Sequence, residues 1–338
     1  MIIVFKHDAS EEQVQAVVTR ITELGMSPHL SKGIARTLLG AIGDEKILNA
    51  HPVDAMPGVE RVIPVLKPYK LASREFKREN TIIDLGDGVL VGGPRFEVMA
   101  GPCAVESREQ TLEIADILKG FGVRILRGGA FKPRTSPYAF QGLGEKGLKI
   151  LAEARERTGM KIITEVLDAD DAPMVAEHAD VLQIGARNMQ NFALLQRVGR
   201  LQRPVMLKRG MSSTIQELLL AAEYILKEGN SLVMLCERGI KTFEPATRNT
   251  FDISALPILK YESHLPVIAD PSHATGIGYV IPPVALASMA AGADGVMVEV
   301  HNHPEKALCD GHQAVQPAPF HDMLEKLRTL APAVGRTF

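Results

Sequence analysis

One stretch of the sequence concentrates basic side chains among residues that shape loops. It is RGGAFKPRTSPYAFQGLG, residues 127–144, which follows the apolar run GVRIL. Arg127, Lys132 and Arg134 stand there among glycines and prolines. An ordinary surface loop would favour polar residues of mixed charge, and a core strand would not carry three cations. The stretch therefore predicts a loop that holds an anionic ligand.

Short apolar runs recur from residue 96 onward, and each leads into a polar or ionisable side chain. If the runs are parallel strands, their carboxyl ends meet at one edge, where active sites are assembled. The nearness of water explains a charge at any single strand end, but cations dominate the whole set. Such cations would repel one another unless anions lay between them, so we expect a ligand with phosphate and carboxylate groups. The residues at these ends are Cys103, Arg127, Glu165, Arg187, Lys208 with Arg209, Glu237 with Arg238, His273 and Glu299.

A second group of side chains mixes one thiol, one imidazole and two carboxyl groups. It consists of Cys103, His273, Glu299 and Asp310. Mixed sulfur, nitrogen and oxygen ligands suit Mn, Fe, Co or Zn, whereas calcium prefers oxygen alone. The four are dispersed in the sequence, but barrel closure would place the first, seventh and eighth strands side by side. His301 and His303 are rival ligands, and Asp270 before a proline is also explained as the cap of a turn.

The elements that must position these side chains alternate between apolar runs and helix-like segments. The runs are FEVMAG, VRIL, KIIT, VLQIG, PVMLK, SLVML, PVIAD and GVMVE. Near-continuous apolar runs are typical of parallel strands buried on both faces, and their number and spacing predict a (β/α)8 barrel. A doubly wound sheet is the main rival, but no GxGxxG follows a first strand and nothing marks a switch point.

The first 66 residues have a different pattern. A strand, an amphipathic helix, a strand pair, a poorer helix over 45–58 and a last strand over 59–66 give the order βαββαβ, which predicts a small ferredoxin-like domain. The charged stretch 67–80 is expected to be a linker, and 81–338 to be the barrel with an N-terminal hairpin over 81–93. The histidines of the first domain are scattered, so we expect no catalysis there.

Composition limits the class of protein. The chain has 338 residues and a formal net charge of −2, so a global basic field for nucleic acid is absent. No window approaches about 18 uncharged apolar residues, which predicts no membrane span. Three cysteines without a close pair argue against a disulfide framework and favour a reducing cytoplasm.

Long segments of the sequence closely resemble those of a known family. They are MAGPCAVES, RGGAFKPRTSPYAFQGLGEKGL, QIGARNMQNF, LKRG, CERGIKTFE, TRNTFDISALP, DPSHATG and VEVHNHPEKALCDG. They are similar to the signature segments of 3-deoxy-D-arabino-heptulosonate 7-phosphate (DAHP) synthases, type I beta subclass, which carries an N-terminal ferredoxin-like domain. The resemblance covers residues 68–338 and is looser before them.

This resemblance implies an activity and a set of residues. The family condenses phosphoenolpyruvate with D-erythrose 4-phosphate, releasing phosphate, in the first step of the shikimate pathway to chorismate and the aromatic amino acids. It implies a divalent metal ion on Cys103, His273, Glu299 and Asp310. The implied phosphoenolpyruvate contacts are Arg127, Lys132, Glu165, Ala186, Arg187, Lys208 and Arg238. The implied erythrose 4-phosphate loop is Lys132, Pro133, Arg134 and Thr135.

The resemblance also suggests roles. The metal with Cys103 and His273 would polarise the aldehyde, Lys132 or a metal-bound water would protonate the new alkoxide, and Glu165 would position the incoming water. Since Cys309 adjoins Asp310, we expect the metal-free protein to be prone to a Cys103–Cys309 disulfide, although an ordinary loop cysteine is the competing interpretation.

Regulation and assembly are implied in the same way. The subclass is feedback-inhibited by tyrosine or phenylalanine at the N-terminal domain and forms homotetramers. A domain that only assembles subunits is the alternative. The nearest rival activity is 3-deoxy-D-manno-octulosonate 8-phosphate synthase, but its loop typically reads KANRS where this chain has KPRTS. A metal-dependent aldolase would not need so many cations, and a non-catalytic amino-acid sensor would not need a complete metal set.

Overall fold

The structure is a computed structural model that describes residues 1–33, 36–43, 53–63, 67–134 and 136–338. The described chain divides into two units by its internal contacts. The first is Met1–Glu79 with Glu262–His264, and the second is Asn80–Tyr261 with Leu265–Phe338. Residues 67–79, expected to be a linker, are grouped with the first unit, where Leu71 and Ala72 are buried.

The first unit is built on an antiparallel sheet with the strand order β2-β3-β1-β4. Its elements are β1 (Ile2–Phe5), α1 (Glu11–Glu23), β2 (Ser27–Lys32), β3 (Thr37–Ile42) and β4 (Val59–Ile63). Helix α1 begins with a reciprocal capping box between Ser10 and Gln13. Its apolar face buries Val14, Val17 and Ile21 against the sheet. The predicted ferredoxin-like sheet is confirmed.

The predicted second helix of this unit falls mostly on residues 44–52, which lie outside the described residues. The end of that predicted segment is not helical, because residues 54–58 form turns. Gly58 has a φ of 85°, a left-handed conformation that glycine adopts at little cost. This end of the predicted helix was therefore wrong.

The second unit is a closed parallel barrel with the strand order β10-β11-β12-β13-β14-β7-β8-β9. Its strands are β7 (Glu97–Gly101), β8 (Ile125–Arg127), β9 (Lys161–Val166), β10 (Val181–Ile184), β11 (Val205–Lys208), β12 (Val233–Glu237), β13 (Val267–Ala269) and β14 (Gly295–Glu299). The helices that follow them are α2 (Arg108–Gly120), α3 (Glu145–Thr158), α4 (Ala172–His178), α5 (Phe192–Arg200), α6 (Ile215–Lys227), α7 (Ala255–Glu262), α8 (Pro271–Thr275), α9 (Ile281–Ala290) and α10 (Pro317–Leu330). The predicted (β/α)8 barrel is confirmed.

The barrel interior is filled by apolar side chains from alternate strand positions. Met99, Ile125, Met206 and Met297 belong to this core, together with side chains from the short hairpin β5 (Ile83–Asp84) and β6 (Leu90–Val91). Because the amino-terminal part of the interior is packed, an open cavity can form only toward the carboxyl ends of the strands.

Barrel closure fixes the register between the first and last strands. β14 pairs with β7 over five residues, and Glu299 lies opposite Gly101. Cys103 follows only two residues later, so closure brings a carboxylate and a thiol from opposite ends of the barrel sequence together. None of the helices in the described part of the chain has the length and apolar character that a membrane span requires.

Candidate active site

The carboxyl ends of the barrel strands surround a cavity of about 320 Å³. Six basic side chains line it, against two carboxylates. The basic ones are Lys132, Arg134, Arg187, Lys208, Arg238 and Arg248, and the acidic ones are Glu165 and Asp310. This local excess of positive charge exists although the whole chain is slightly acidic. The cavity is therefore suited to a ligand with more than one negative charge.

The loop after β8 contributes Lys132 and Arg134 to the cavity. Lys132 is buried, and its Nζ donates a hydrogen bond to the Cys103 carbonyl oxygen over 3.0 Å. Gly129 makes room for this, since a Cβ there would lie 2.6 Å from Lys132 Cδ. Burial opposes the positive charge, but the Cys103 sulfur and the Glu165 carboxylate raise the pKa of Lys132 above its ordinary value. Lys132 therefore remains a protonated donor beside the cavity.

Two groups of potential metal donors share the Cys103 sulfur. One is Cys103 with His273 and Glu299, and the other is Cys103 with Cys309 and Asp310, with the donor atoms of each group within 4.8 Å of one another. Three of the four residues expected to hold a metal thus form one donor group, and Asp310 lies near the same Cys103 sulfur in the second group. His301 and His303 are in neither group, and His301 Nε2 instead lies 3.5 Å from Glu106 Oε2.

The charges of this donor set suit a divalent cation. Burial would raise the pKa of Glu299, but His273, Arg127 and Lys132 lower it to about 2, so the carboxylate is ionised. Burial lowers the pKa of His273 more than the facing carboxylates raise it, which favours the neutral imidazole that binds metals. A neutral imidazole, two carboxylates and a thiol, all near the Cys103 sulfur, fit a transition metal ion.

Arg127 is not among the residues that line the cavity, but it contacts the donor set. Its Nη1 donates to the Pro102 carbonyl oxygen over 2.6 Å and to Glu299 Oε1 over 3.2 Å. Its Nε is buried and has no hydrogen-bond partner in the described part of the chain. The guanidinium therefore supports the charge of Glu299, with one donor left over.

The two cysteines near the donors are in contact. Cys103 Sγ and Cys309 Sγ are 3.2 Å apart, and Arg134 Nη1 lies 2.6 Å from Cys309 Sγ. The hydrogen bond between the two sulfur atoms and the burial of Cys103 raise the pKa of the Cys103 thiol. The same hydrogen bond lowers the pKa of Cys309, and Lys132 and Arg134 act in the same direction.

Comparison with known proteins decides which family this architecture represents. The sequence model of the DAHP synthetase I family matches residues 79–334, and that of the DAHP synthase ferredoxin-like domain matches residues 1–67. The chain belongs to the DAHP synthetase I family. The predicted family, enzyme class and activity are thereby confirmed, and the first match is long enough to include every strand of the barrel.

Two of the matches cover nearly all of this chain, and a third covers only part of it. A phospho-2-dehydro-3-deoxyheptonate aldolase of Thermotoga maritima is 52% identical over 335 residues, 99% of each chain. A crystal structure of that aldolase (DAHP synthase) from T. maritima has a TM-score of 0.79 at 51% identity and covers 99% of this chain and 98% of that one. A 2-dehydro-3-deoxyphosphooctonate aldolase of Syntrophobacter fumaroxidans is 32% identical over 74% of this chain and 92% of its own. The rival activity is thus found only in more distant relatives among these.

The segment after β10 forms another part of the cavity wall. Gly185, Ala186 and Arg187 line it, and a Cβ on Gly185 would lie 2.0 Å from Glu165 Oε1. Gln183 Nε2 donates to Glu165 Oε2 over 3.3 Å. The absence of a side chain at Gly185 therefore leaves the space that the Glu165 carboxylate occupies.

The other residues expected to contact substrate line the cavity, except one that lies outside the described residues. Pro133 and Lys208 line the cavity, and Arg238 lines it while being buried. Thr135 lies outside the described residues.

Sequence reasoning missed three residues that contact the donor set. Gln313 Nε2 donates to Glu299 Oε2 over 2.6 Å, and Arg248 Nη1 donates to Gln313 Oε1 over 2.8 Å. Asp270 was considered only as a turn cap, but its carboxylate also contacts the His273 ring. Only Asp270 offered a signal, because it is a carboxylate three residues before an expected histidine ligand.

Proposed function

We propose that the cavity condenses phosphoenolpyruvate with D-erythrose 4-phosphate and releases inorganic phosphate. The observation that carries this is the environment of Arg238. Arg238 Nη1 is buried without a hydrogen-bond partner in the described part of the chain, beside several other cations in the cavity wall. A buried unpaired guanidinium is costly, and a ligand phosphate or carboxylate would offset that cost.

In this proposal phosphoenolpyruvate lies against the wall formed by Arg187, Lys208 and Arg238, with Ala186 and Glu165 beside it. Several cations are needed because the ligand has both a phosphate and a carboxylate. Arg127, which does not line the cavity, would add positive charge that favours these anionic groups. Glu165, held by Gln183 and by the space above Gly185, would position the water that adds at carbon 2.

Erythrose 4-phosphate would bind to the loop that contains Lys132, Pro133, Arg134 and Thr135. Arg134 suits its phosphate, because the guanidinium can make paired hydrogen bonds. A divalent ion of Mn, Fe, Co or Zn held by Cys103, His273, Glu299 and Asp310 would supply Lewis-acid polarisation of the aldehyde. Carbon 3 of phosphoenolpyruvate attacks the aldehyde carbon, and Lys132, kept protonated by its surroundings, donates a proton to the new alkoxide oxygen. After water has added at carbon 2, the bond between carbon 2 and the phosphate oxygen breaks, so phosphate leaves and carbon 2 becomes a ketone.

The reaction can be tested by following the loss of phosphoenolpyruvate. We expect consumption with manganese and erythrose 4-phosphate, none with excess chelator, and little with arabinose 5-phosphate. Preference for arabinose 5-phosphate would favour the rival synthase, and full activity in chelator would refute the metal role. Consumption without release of inorganic phosphate would exclude the condensation itself.

The ferredoxin-like unit would bind tyrosine or phenylalanine as a feedback inhibitor, in a cytoplasmic homotetramer. The match of residues 1–67 to the DAHP synthase ferredoxin-like domain supports a role shared with that family. The three free cysteines suit a reducing compartment. We propose residues 1–66 as the regulatory domain, 67–80 as its connection and 81–338 as the catalytic barrel.

A further inference from the structure

Asp270 makes more contacts than the cap of a short helix requires. It lies directly before α8 and is fully buried. Its Oδ1 accepts a hydrogen bond from the His273 backbone N over 3.0 Å. Its Oδ2 lies 2.8 Å from His273 Nδ1 and 2.5 Å from Lys208 Nζ. One carboxylate thus holds both the main chain and the ring of the same histidine.

The opposite edge of that ring, which carries Nε2, points at the donor group. His273 Nε2 lies 3.2 Å from Glu299 Oε1, and the donor atoms of His273, Glu299 and Cys103 are all within 4.8 Å of one another. An ionised carboxylate can only accept hydrogen bonds, so Nδ1 must carry the proton that faces Asp270. The Nε2 lone pair is then free to bind a cation.

We propose that Asp270 is a positioning residue of the metal centre, which fixes both the orientation and the tautomer of His273. The inference rests on the metal role proposed above for His273. Lys208 contributes from the other side, since its ammonium holds the same oxygen and prevents the carboxylate from rotating away. Outer partners of this kind typically change metal affinity by about 10- to 100-fold.

Replacement by asparagine tests the tautomer directly. In Asp270→Asn, the amide oxygen can keep the cap of His273 N, but the amide nitrogen then faces two donors, His273 Nδ1 and Lys208 Nζ. If the amide rotates by half a turn, its nitrogen instead faces the His273 backbone N, which is also a donor. Relief requires the His273 proton to move to Nε2, which blocks the atom that would bind the ion.

A matched control is available in Asp252. It caps the start of α7 through Ala255 N over 3.2 Å and pairs with Arg209 over 2.9 Å. Like Asp270 it is a capping acid with a basic partner, but it lies in neither donor group nor the cavity wall. Asp252→Asn therefore reproduces the loss of a capping charge without touching His273.

The experiment is a cobalt(II) titration of substrate-free, full-length protein, followed by visible absorption and by competition with a chelator. We expect Asp270→Asn to weaken cobalt binding at least about tenfold, and Asp252→Asn to stay within twofold of the parent. Asp270→Ser, which retains a capping oxygen without the opposing donor, should also lose affinity and serves if the asparagine variant does not fold.

Cobalt affinity of both Asp270 variants within twofold of the parent would overturn the inference. So would an equal loss in Asp252→Asn, because that would indicate a general effect of removing a capping charge. Failure of the parent protein to bind cobalt would instead refute the metal role in the proposed function, so the two failures are distinguishable.

Discussion

Arg238 follows β12 as a buried cation whose main compensating acid, Asp270, is already hydrogen-bonded to His273 and Lys208. We predict that Arg238→Gln raises KM for phosphoenolpyruvate about 10- to 100-fold, because a charged hydrogen bond contributes about 1.5–3 kcal/mol. KM for erythrose 4-phosphate should change little. Steady-state kinetics with each substrate varied in turn measures both values.

Arg238→Lys is the control for charge, and it should recover part of the lost affinity, although a lysine cannot form paired hydrogen bonds. An unchanged KM for phosphoenolpyruvate in Arg238→Gln would contradict the assignment of this wall.

Cys103 and Cys309 provide a second prediction. Their sulfur atoms are 3.2 Å apart, and both are free thiols. Without metal, dioxygen should oxidise the pair: two thiols lose two protons and two electrons to oxygen, and one sulfur–sulfur bond forms. Non-reducing mass spectrometry of chelated, air-exposed protein should show a mass loss of about two hydrogens, since a cation held by Cys103 would otherwise protect it.

The buried Cys236 should remain unmodified in the same sample. Detection of only free thiols after chelation and exposure to air would refute this prediction.

At the scale of single residues, the sequence predicts which side chains are chemically suited to a site better than it predicts their hydrogen-bond partners. Cys103, His273 and Glu299 were expected to meet because barrel closure places the strands that they end or follow side by side, and their donor atoms do lie within 4.8 Å of one another. Gln313 and Arg248 could not, since an amide and a guanidinium in a loop are ordinary at the sequence level. Their importance comes only from the folded loop, which places Gln313 on Glu299 and Arg248 on Gln313.

Strand β10 ends at a point where backbone and active site are in direct contact. Gly185 has a φ of −67°, so alanine there is free of backbone strain, but its Cβ would lie 2.0 Å from Glu165 Oε1. The end of a flexible side chain can move, so we predict that Gly185→Ala displaces Glu165 rather than unfolding the barrel. We expect kcat to fall at least about tenfold, since misplacement by 1 Å can have a large effect on rate.

The control is Gly120→Ala at the end of α2, where an added Cβ meets nothing within 4 Å. Kinetics and thermal melting of both variants test the idea. Equal kcat in Gly185→Ala and the parent would show that the Glu165 position is not critical.

The segment after α7 contains a titratable side chain that matters for folding. His264 is buried, and its Nε2 lies 2.7 Å from the Leu71 carbonyl oxygen. Burial lowers the pKa of His264 from its ordinary 6.5 to about 4. Between these values the unfolded chain binds more protons, so stability is fully present above pH 6.5 and is lost as the pH falls toward 4.

We predict that this histidine contributes a loss of about 3 kcal/mol across that range, at ~1.36 kcal/mol per pKa unit. His264→Gln can still donate to the Leu71 carbonyl but does not titrate. Denaturant unfolding at pH 7, 5.5 and 4 should therefore show a shallower decline for the variant. Parallel declines in both proteins would contradict the prediction.

Elements with a strong period could be predicted, and short connecting segments could not. The eight barrel strands stand out because they are apolar on both faces. The stretch around Tyr69 and Leu71 reads as charged and was expected to be a linker, yet both of these side chains are buried. A few apolar residues between lysines carry no period, so their burial depends on tertiary contacts.

At the scale of the whole molecule, a net charge of −2 conceals a strongly basic cavity. Closure of the barrel gathers cations that lie more than 100 residues apart in the sequence, such as Lys132 and Arg248. Association with anionic substrates should therefore depend on local rather than overall charge.

The last prediction concerns the proposed roles of the two units, catalysis in the barrel and regulation in the ferredoxin-like unit. The barrel core of this chain is made only of residues from 83 onward. We predict that deletion of residues 1–66 preserves condensation but abolishes inhibition by tyrosine and phenylalanine.

Initial rates of the full and truncated proteins, measured with each aromatic amino acid in turn, test this prediction, and sedimentation of both reports any change of assembly. If the first unit only assembles subunits, truncation should change sedimentation, and the full-length protein should show no inhibition to lose. If inhibition survives the deletion, the inhibitor must bind within residues 67–338, because the rest of the chain is gone. The sensing role therefore depends on inhibition that is present in the full chain and absent from the truncated one.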